Sequence, residues 1–200
     1  MSGVEVLALL SSMAAALWLG IIVVLHFTRP GLNPRTHMIS EYAREPGGWI
    51  MRLAFFSVAS SCGALAAATW AHLAPLGPAL LAVCGLGFAG AGAFVTDPVL
   101  PTQRTQTRSG GLHVLFAFIV IALFPIMATV VGFGLASSAW VPIRFWPAAL
   151  SALTWAGFIG FMGAALYSAK RTETPLGYFQ RLMVLTYSVW LMATGLVLAR

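Results

Sequence analysis

Charge is what this sequence has least of. Lys, Arg, Asp and Glu make up 8% of its 200 residues, where soluble domains carry about 25%. That scarcity excludes a water-facing surface over most of the chain. Cysteine is also sparse: Cys62 and Cys84 fall inside apolar runs with no metal-type spacing and are read as small buried thiols. No internal repeat is visible, so the inverted-repeat pattern of secondary transporters has no support. The first apolar run lacks a basic leader and an A-x-A cleavage site, so it is expected to stay in the mature chain.

What is present is hydrophobicity, at 60% of residues with a mean hydropathy of +0.89. A membrane span needs roughly 20 mainly apolar residues. Six stretches qualify, at about 5–27, 49–73, 77–95, 112–135, 145–168 and 180–199. The expected fold is an all-α polytopic transmembrane bundle of about six helices, with residues 1–200 forming a single transmembrane domain. Water-facing chemistry is then confined to helix ends and to the longer connections 28–48 and 96–111.

The net charge of +6 is distributed unevenly. Arg29, Arg35, Arg44, Arg52, Arg104, Arg108, Lys170, Arg171 and Arg181 lie in or beside the loops joining spans one to two, three to four and five to six. Arg144 and Arg200 lie on the other side. The positive-inside rule predicts cytoplasmic basic loops and outward termini, in the inner cell membrane. Membrane lipids suffice as partners for these cations, and no nucleic acid is implied.

Within the spans, Gly85, Gly87, Gly90 and Gly92, then Gly157, Gly160 and Gly163, are spaced for close helix approach. Pro125 removes an N–H from span four, so a freed carbonyl must find a partner in a neighbouring helix. Trp18, Trp49, Trp70, Trp140, Trp146 and Trp190 mostly fall near span ends, as interfacial anchors do.

Asn33 can cap a helix whose first position is Pro34, which predicts a short interfacial helix over about 34–44. On an α-helix His37, Ser40, Glu41 and Arg44 share one face. Two readings follow: an amphipathic surface helix with that face in water, or a proton-handling site. Asp97 ends span three at the negative end of its dipole, so a cationic or hydrogen-bonding partner is expected. His113 begins span four, where the positive helix end favours neutral imidazole, and His26 closes span one. Most of the chain's five acids and histidines thus fall on one side, and ionisable groups at membrane depth are functional candidates. Arg104 and Arg108 can clamp a phosphate, although solvating the membrane surface is their commoner use.

The residues 26–34 (His-Phe-Thr-Arg-Pro-Gly-Leu-Asn-Pro), His37-Met-Ile-Ser-Glu-Tyr42, Thr96-Asp97-Pro, Gly-Leu-His113 and Gly177-x-x-Gln-Arg181 together carry a resemblance. The chain resembles, over essentially its whole length, the bacterial and archaeal membrane family catalogued as the domain of unknown function 998. The resemblance implies a six- or seven-span helical bundle and supports the polar residues as a site. It supplies no activity.

The leading functional expectation is a membrane-embedded enzyme acting on a lipid or isoprenoid-like apolar small molecule. His37, Ser40, Glu41, Asp97 and His113 are the candidate catalytic residues; His26, Arg44, Arg104, Arg108 and Arg181 are the candidate substrate-binding residues. One version is hydrolytic, with Ser40 or a metal-bound water as nucleophile. Another is a cyclase or isomerase in which Asp97 or Glu41 donates a proton and Phe116, Phe118 or Trp155 stabilises positive charge. No cofactor is evident; a divalent metal is compatible with the residue types, but no contiguous zinc motif exists. The alternative is a lipid or small-molecule carrier or a proton-coupled transporter. A b-type cytochrome ranks last, because only His26 and His113 could pair.

Overall fold

In a computed structural model, residues 1–98, 106–138, 145–169, 171 and 174–200 are described. Six α-helices account for the apolar runs: α1 (Gly3–Thr28), α2 (Trp49–Thr69), α3 (Leu76–Ala93), α4 (Arg108–Ser137), α5 (Phe145–Ser168) and α6 (Leu176–Leu198). All six are long and apolar enough to cross a membrane. A 3-10 helix, Ile39–Arg44, lies between α1 and α2.

The helices close into a ring in chain order, each packing on the next and α6 returning to α1. On α1 the inward residues are Ala8, Ser11, Ser12, Ala15, Trp18, Ile22 and Leu25, while Leu10, Leu17 and Val24 stay exposed. Large apolar side chains exposed at seven-residue spacing are placed for lipid. Inside the ring an aromatic chain crosses the core. Trp18 lies 5.0 Å from Phe55 and 6.1 Å from Phe88, and Phe88 lies 6.4 Å from Phe124. Phe124 stacks on Tyr187 at 4.1 Å and meets Trp190 at 6.0 Å. Trp18 and Trp190 therefore serve as core rather than as interfacial anchors, whereas Trp49, Trp70 and Trp146 are exposed near helix ends. Trp140 lies outside the described residues.

Small residues set the α3 contacts as their spacing predicts. A side chain at Gly85 or Gly92 would run into α2, and one at Gly87 or Gly90 into Phe116 and Val120 of α4. Gly157 meets α6 closely, but Gly163 faces open space. Pro125 leaves the Ile121 carbonyl without its helical partner. Tyr187 of α6 donates its hydroxyl to that oxygen at 3.0 Å, the interhelical satisfaction that a lipid environment demands.

Candidate functional site

A helix leaves its last four carbonyls without intrahelical donors, and each buried unpaired one costs about 1–3 kcal/mol. At the end of α3 two side chains supply the missing donors. Arg52 Nε donates to Gly92 O at 2.9 Å and its Nη2 to Ala93 O at 3.3 Å. His113 Nδ1 lies 2.9 Å from Ala91 O and 3.0 Å from Phe94 O. Both partners are acceptors, so Nδ1 carries the proton and, in the neutral ring, Nε2 holds the lone pair. Phe55 packs its ring edgewise on the imidazole at 5.8 Å, and His113 is only 4% exposed.

Asp97 finds its partners at the start of the next helix. One carboxylate oxygen accepts from Thr107 N at 2.9 Å and the other from the Thr107 hydroxyl at 2.8 Å. Thr107 is itself the N-cap of α4, accepting from Gly110 N at 3.0 Å. A carboxylate at the positive end of a helix is favoured by about 0.3–1 kcal/mol, which answers the unfavourable position it would have at the end of α3. Any side chain at Gly110 would collide with this carboxylate.

A roof covers this end of the ring. The Asn33 side chain accepts from Arg35 N at 2.9 Å, and its carbonyl accepts from Thr36 N and His37 N. Met38 is then extended (φ −78°, ψ 154°), and the 3-10 helix follows. The segment therefore starts as an asparagine-capped turn, as expected, but its helix is confined to 39–44 and has threefold rather than α periodicity. The consequence is that His37 is separated from Ser40 and Glu41. Ile39, Ser40, Glu41 and Tyr42 are all buried, so the segment packs into the bundle instead of floating with one face in water.

The first turns of α6 hold the roof down. Gly177 N donates to Arg35 O at 2.9 Å, and a side chain there would strike the Pro34 and His37 carbonyls. Gln180 Oε1 accepts from Ile39 N at 2.7 Å. Arg181 Nη1 donates to Pro34 O, His37 O and Gly177 O at 3.0, 2.9 and 3.0 Å, and Nη2 reaches the Tyr42 hydroxyl at 3.1 Å. The Gly177-x-x-Gln-Arg181 motif is thus the seat of the His37 to Tyr42 motif.

Beneath the roof lie two adjoining spaces. An outer cleft of about 610 Å³ runs past Thr96, Asp97, Gln106, Thr107 and Gly110 to Val114, Phe118 and Phe161. Val114 and Phe118 are among the exposed apolar residues, so the cleft reaches the lipid-facing surface of α4. A narrow inner cavity of about 50 Å³ descends among Trp18, Phe55, Phe88, Val184 and Tyr187 to Leu191. Ser40, His113, Ala117, Ile121 and Gln180 line both. They form the neck between the outer cleft, whose polar groups gather around Asp97 and Thr107, and the apolar inner cavity.

Of the sequence candidates, Ser40, Asp97 and His113 border these spaces. His37 is half-buried with Nδ1 held by Thr36 Oγ1 at 3.1 Å and Asn33 O at 3.3 Å, and borders neither. Glu41 is 1% exposed within the roof and borders neither. His26 packs against Phe27, ring centroids 5.2 Å apart, in the last turn of α1, and borders neither space. Arg44 and Arg108 are exposed, Arg181 is the roof clasp, and Arg104 lies outside the described residues. Among the described residues no three His, Cys, Asp or Glu side chains gather as a metal site. Sequence reasoning had Gln180 only within the family motif and Arg52 only among the basic loop residues, and gave neither a role; an amide and a cation inside apolar helices were the available signals.

These features define a multi-pass helical membrane protein with a buried histidine lining both an outer cleft and a narrow inner cavity. The chain belongs to the family described as "Protein of unknown function (DUF998)", whose model matches residues 12–197. No curated protein and no solved structure matches it.

Proposed function

We propose that this protein is a membrane-embedded enzyme performing acid–base chemistry on a lipid or isoprenoid-like substrate, with Ser40 as nucleophile and His113 as its base. The observation that carries the reading is the fixed imidazole: Ala91 O and Phe94 O hold Nδ1–H, leaving Nε2 as the basic atom of a residue lining the same neck as Ser40. A nucleophile, a base and a group orienting that base are the elements of nucleophilic catalysis. The α3 carbonyls take the orienting part that a carboxylate plays in the serine hydrolase triad.

Hydrolysis of an ester then balances as follows. Ser40 Oγ bonds to the acyl carbon as its proton passes to Nε2, and the imidazolium returns that proton to the departing alkoxide. Water repeats the sequence on the acyl-serine, releasing the acid and free Ser40. Proton-initiated cyclisation has weaker support. The carboxyl bordering the spaces, Asp97, sits in the outer cleft and is engaged by Thr107. Of the rings considered for charge stabilisation, Phe118 borders the same outer cleft as Asp97, whereas Phe116 stacks on Phe94 at 5.8 Å and the Trp155 indole donates to Thr129 at 3.0 Å. The asymmetric basic loops support placing this end at the cytoplasmic face of the inner membrane.

A fluorophosphonate bearing a long alkyl chain tests the reading. Covalent labelling at Ser40, abolished in Ser40→Ala and strongly slowed in His113→Asn, is the expected result. Labelling elsewhere, or unchanged in these variants, defeats it. A carrier of the same amphiphile would retain a co-purifying lipid and show no labelling.

A further inference from the structure

We infer that the molecule held at the neck has an uncharged polar head that both donates and accepts hydrogen bonds, such as an alcohol or ester, and that phosphorylated amphiphiles are rejected. The inference rests on the function proposed above, with the cleft and inner cavity as one chamber, and adds the class of head group.

Three observations define the head. Gln180 Oε1 is committed to Ile39 N, so its amide NH₂ is the end left to donate. His113 Nδ1 is committed to Ala91 O and Phe94 O, so Nε2 is the end left to accept. Ser40, buried beside them, can do either. A donor, an acceptor and a hydroxyl at one constriction match a neutral, bifunctional group, and an anionic head finds no counter-ion among the described lining residues.

The places where a phosphate would find compensation are already taken. Among the described residues bordering either space there is no Lys or Arg. Two cations close by are engaged: Arg52 donates to Gly92 O and Ala93 O, and Arg181 spends Nη1 on the Pro34, His37 and Gly177 carbonyls and Nη2 on Tyr42. The start of α4, the natural anion seat of the cleft, is filled by the chain's own Asp97 carboxylate. A phosphate entering the cleft therefore meets the Asp97 carboxylate and, among the described lining residues, no Lys or Arg. Burying it unpaired is costly. The narrow space beyond, lined by Trp18, Val58, Phe88 and Leu191, presents an apolar surface to whatever follows the head group.

The test uses the full chain in nanodiscs and a dodecanol derivative with a diazirine near the chain end. Photolabelling is expected on α6 within 183–191, and is expected to fall sharply in Ala117→Phe, which fills the neck, or in Val184→Phe if that variant is not monodisperse. At equal mole fraction in the bilayer, dodecanol and dodecyl acetate should compete, and dodecyl phosphate should compete at least about tenfold less well. Dodecyl phosphate competing equally or better overturns the head-group inference while leaving the chamber standing. Labelling that ignores both Ala117→Phe at the neck and Val184→Phe in the inner cavity removes the chamber, and the inference with it.

Discussion

At the far end of the ring, single hydroxyls join neighbouring helices: Ser12 to Met192 O at 2.9 Å, Ser151 to Ala128 O at 2.7 Å, and Ser11 with Ser61 at 3.0 Å. At the His113 end the stitches are forked, ionisable and crowded onto helix termini, with Arg52, His113, Asp97 and Arg181 each making at least two bonds. Hydroxyl contacts inside a bilayer contribute only about 0.6 kcal/mol each on average, and they leave no group able to take up a proton at neutral pH. The comparison teaches that cohesion alone needs no ionisable residue in this fold. At the charged end the bonds fall largely on helix termini, where Arg52, His113 and Asp97 act as end caps.

His113 is where end-capping and the proposed base meet, and it offers the largest test. His113→Asn keeps an amide N–H near the Nδ1 position while removing Nε2, so labelling at Ser40 is expected to fall by about 100-fold or more. Its melting temperature should stay near the parent's. His113→Ala should lose both, because it orphans the Ala91 and Phe94 carbonyls. If Asn also unfolds the protein, or if Asn retains labelling, the division of the ring into a capping atom and a working atom fails.

Next in size is the roof. Gly177→Leu forces a side chain onto the Pro34 and His37 carbonyls and should cost about 2–4 kcal/mol, with hydrogen exchange rising over 33–42. Tyr187→Phe should be milder, at about 1–2 kcal/mol, since it deprives the Ile121 carbonyl at Pro125 of its donor. Asp97→Asn should cost about 0.3–1 kcal/mol through the lost charge at the start of α4. It should also weaken the discrimination against dodecyl phosphate. Ser61→Ala at the far end should be smallest, about 0.6 kcal/mol, with labelling at Ser40 unchanged. A larger effect there would erase the contrast between the ends.

The spans were legible because apolar length alone defines them: 145–168 matches α5, and the others differ by a few residues at their ends. The need for a donor at Ile121 was legible too, since proline chemistry is local. The site was only partly legible. His37 and Ser40 share a face only if the segment is α-helical, and the extended Met38 breaks that phase. The partner of Ile39 N is Gln180, 141 residues away, a separation that no periodicity encodes. Trp18 and Trp190 were misplaced because a single aromatic near a span end reads alike whether it faces the interface or the core.

The clasp at Gly177, Gln180 and Arg181 also orders events in time. The roof segment leaves the ribosome before α2, yet the groups that seat it arrive more than 130 residues later, with α6. Until that helix inserts, the Ile39 amide and the Pro34 and His37 carbonyls lack these partners, and the neck lacks one wall. Insertion of the sixth helix thus finishes the chamber in the act of closing the ring. A chain stalled before it would expose the histidine without confining anything beside it.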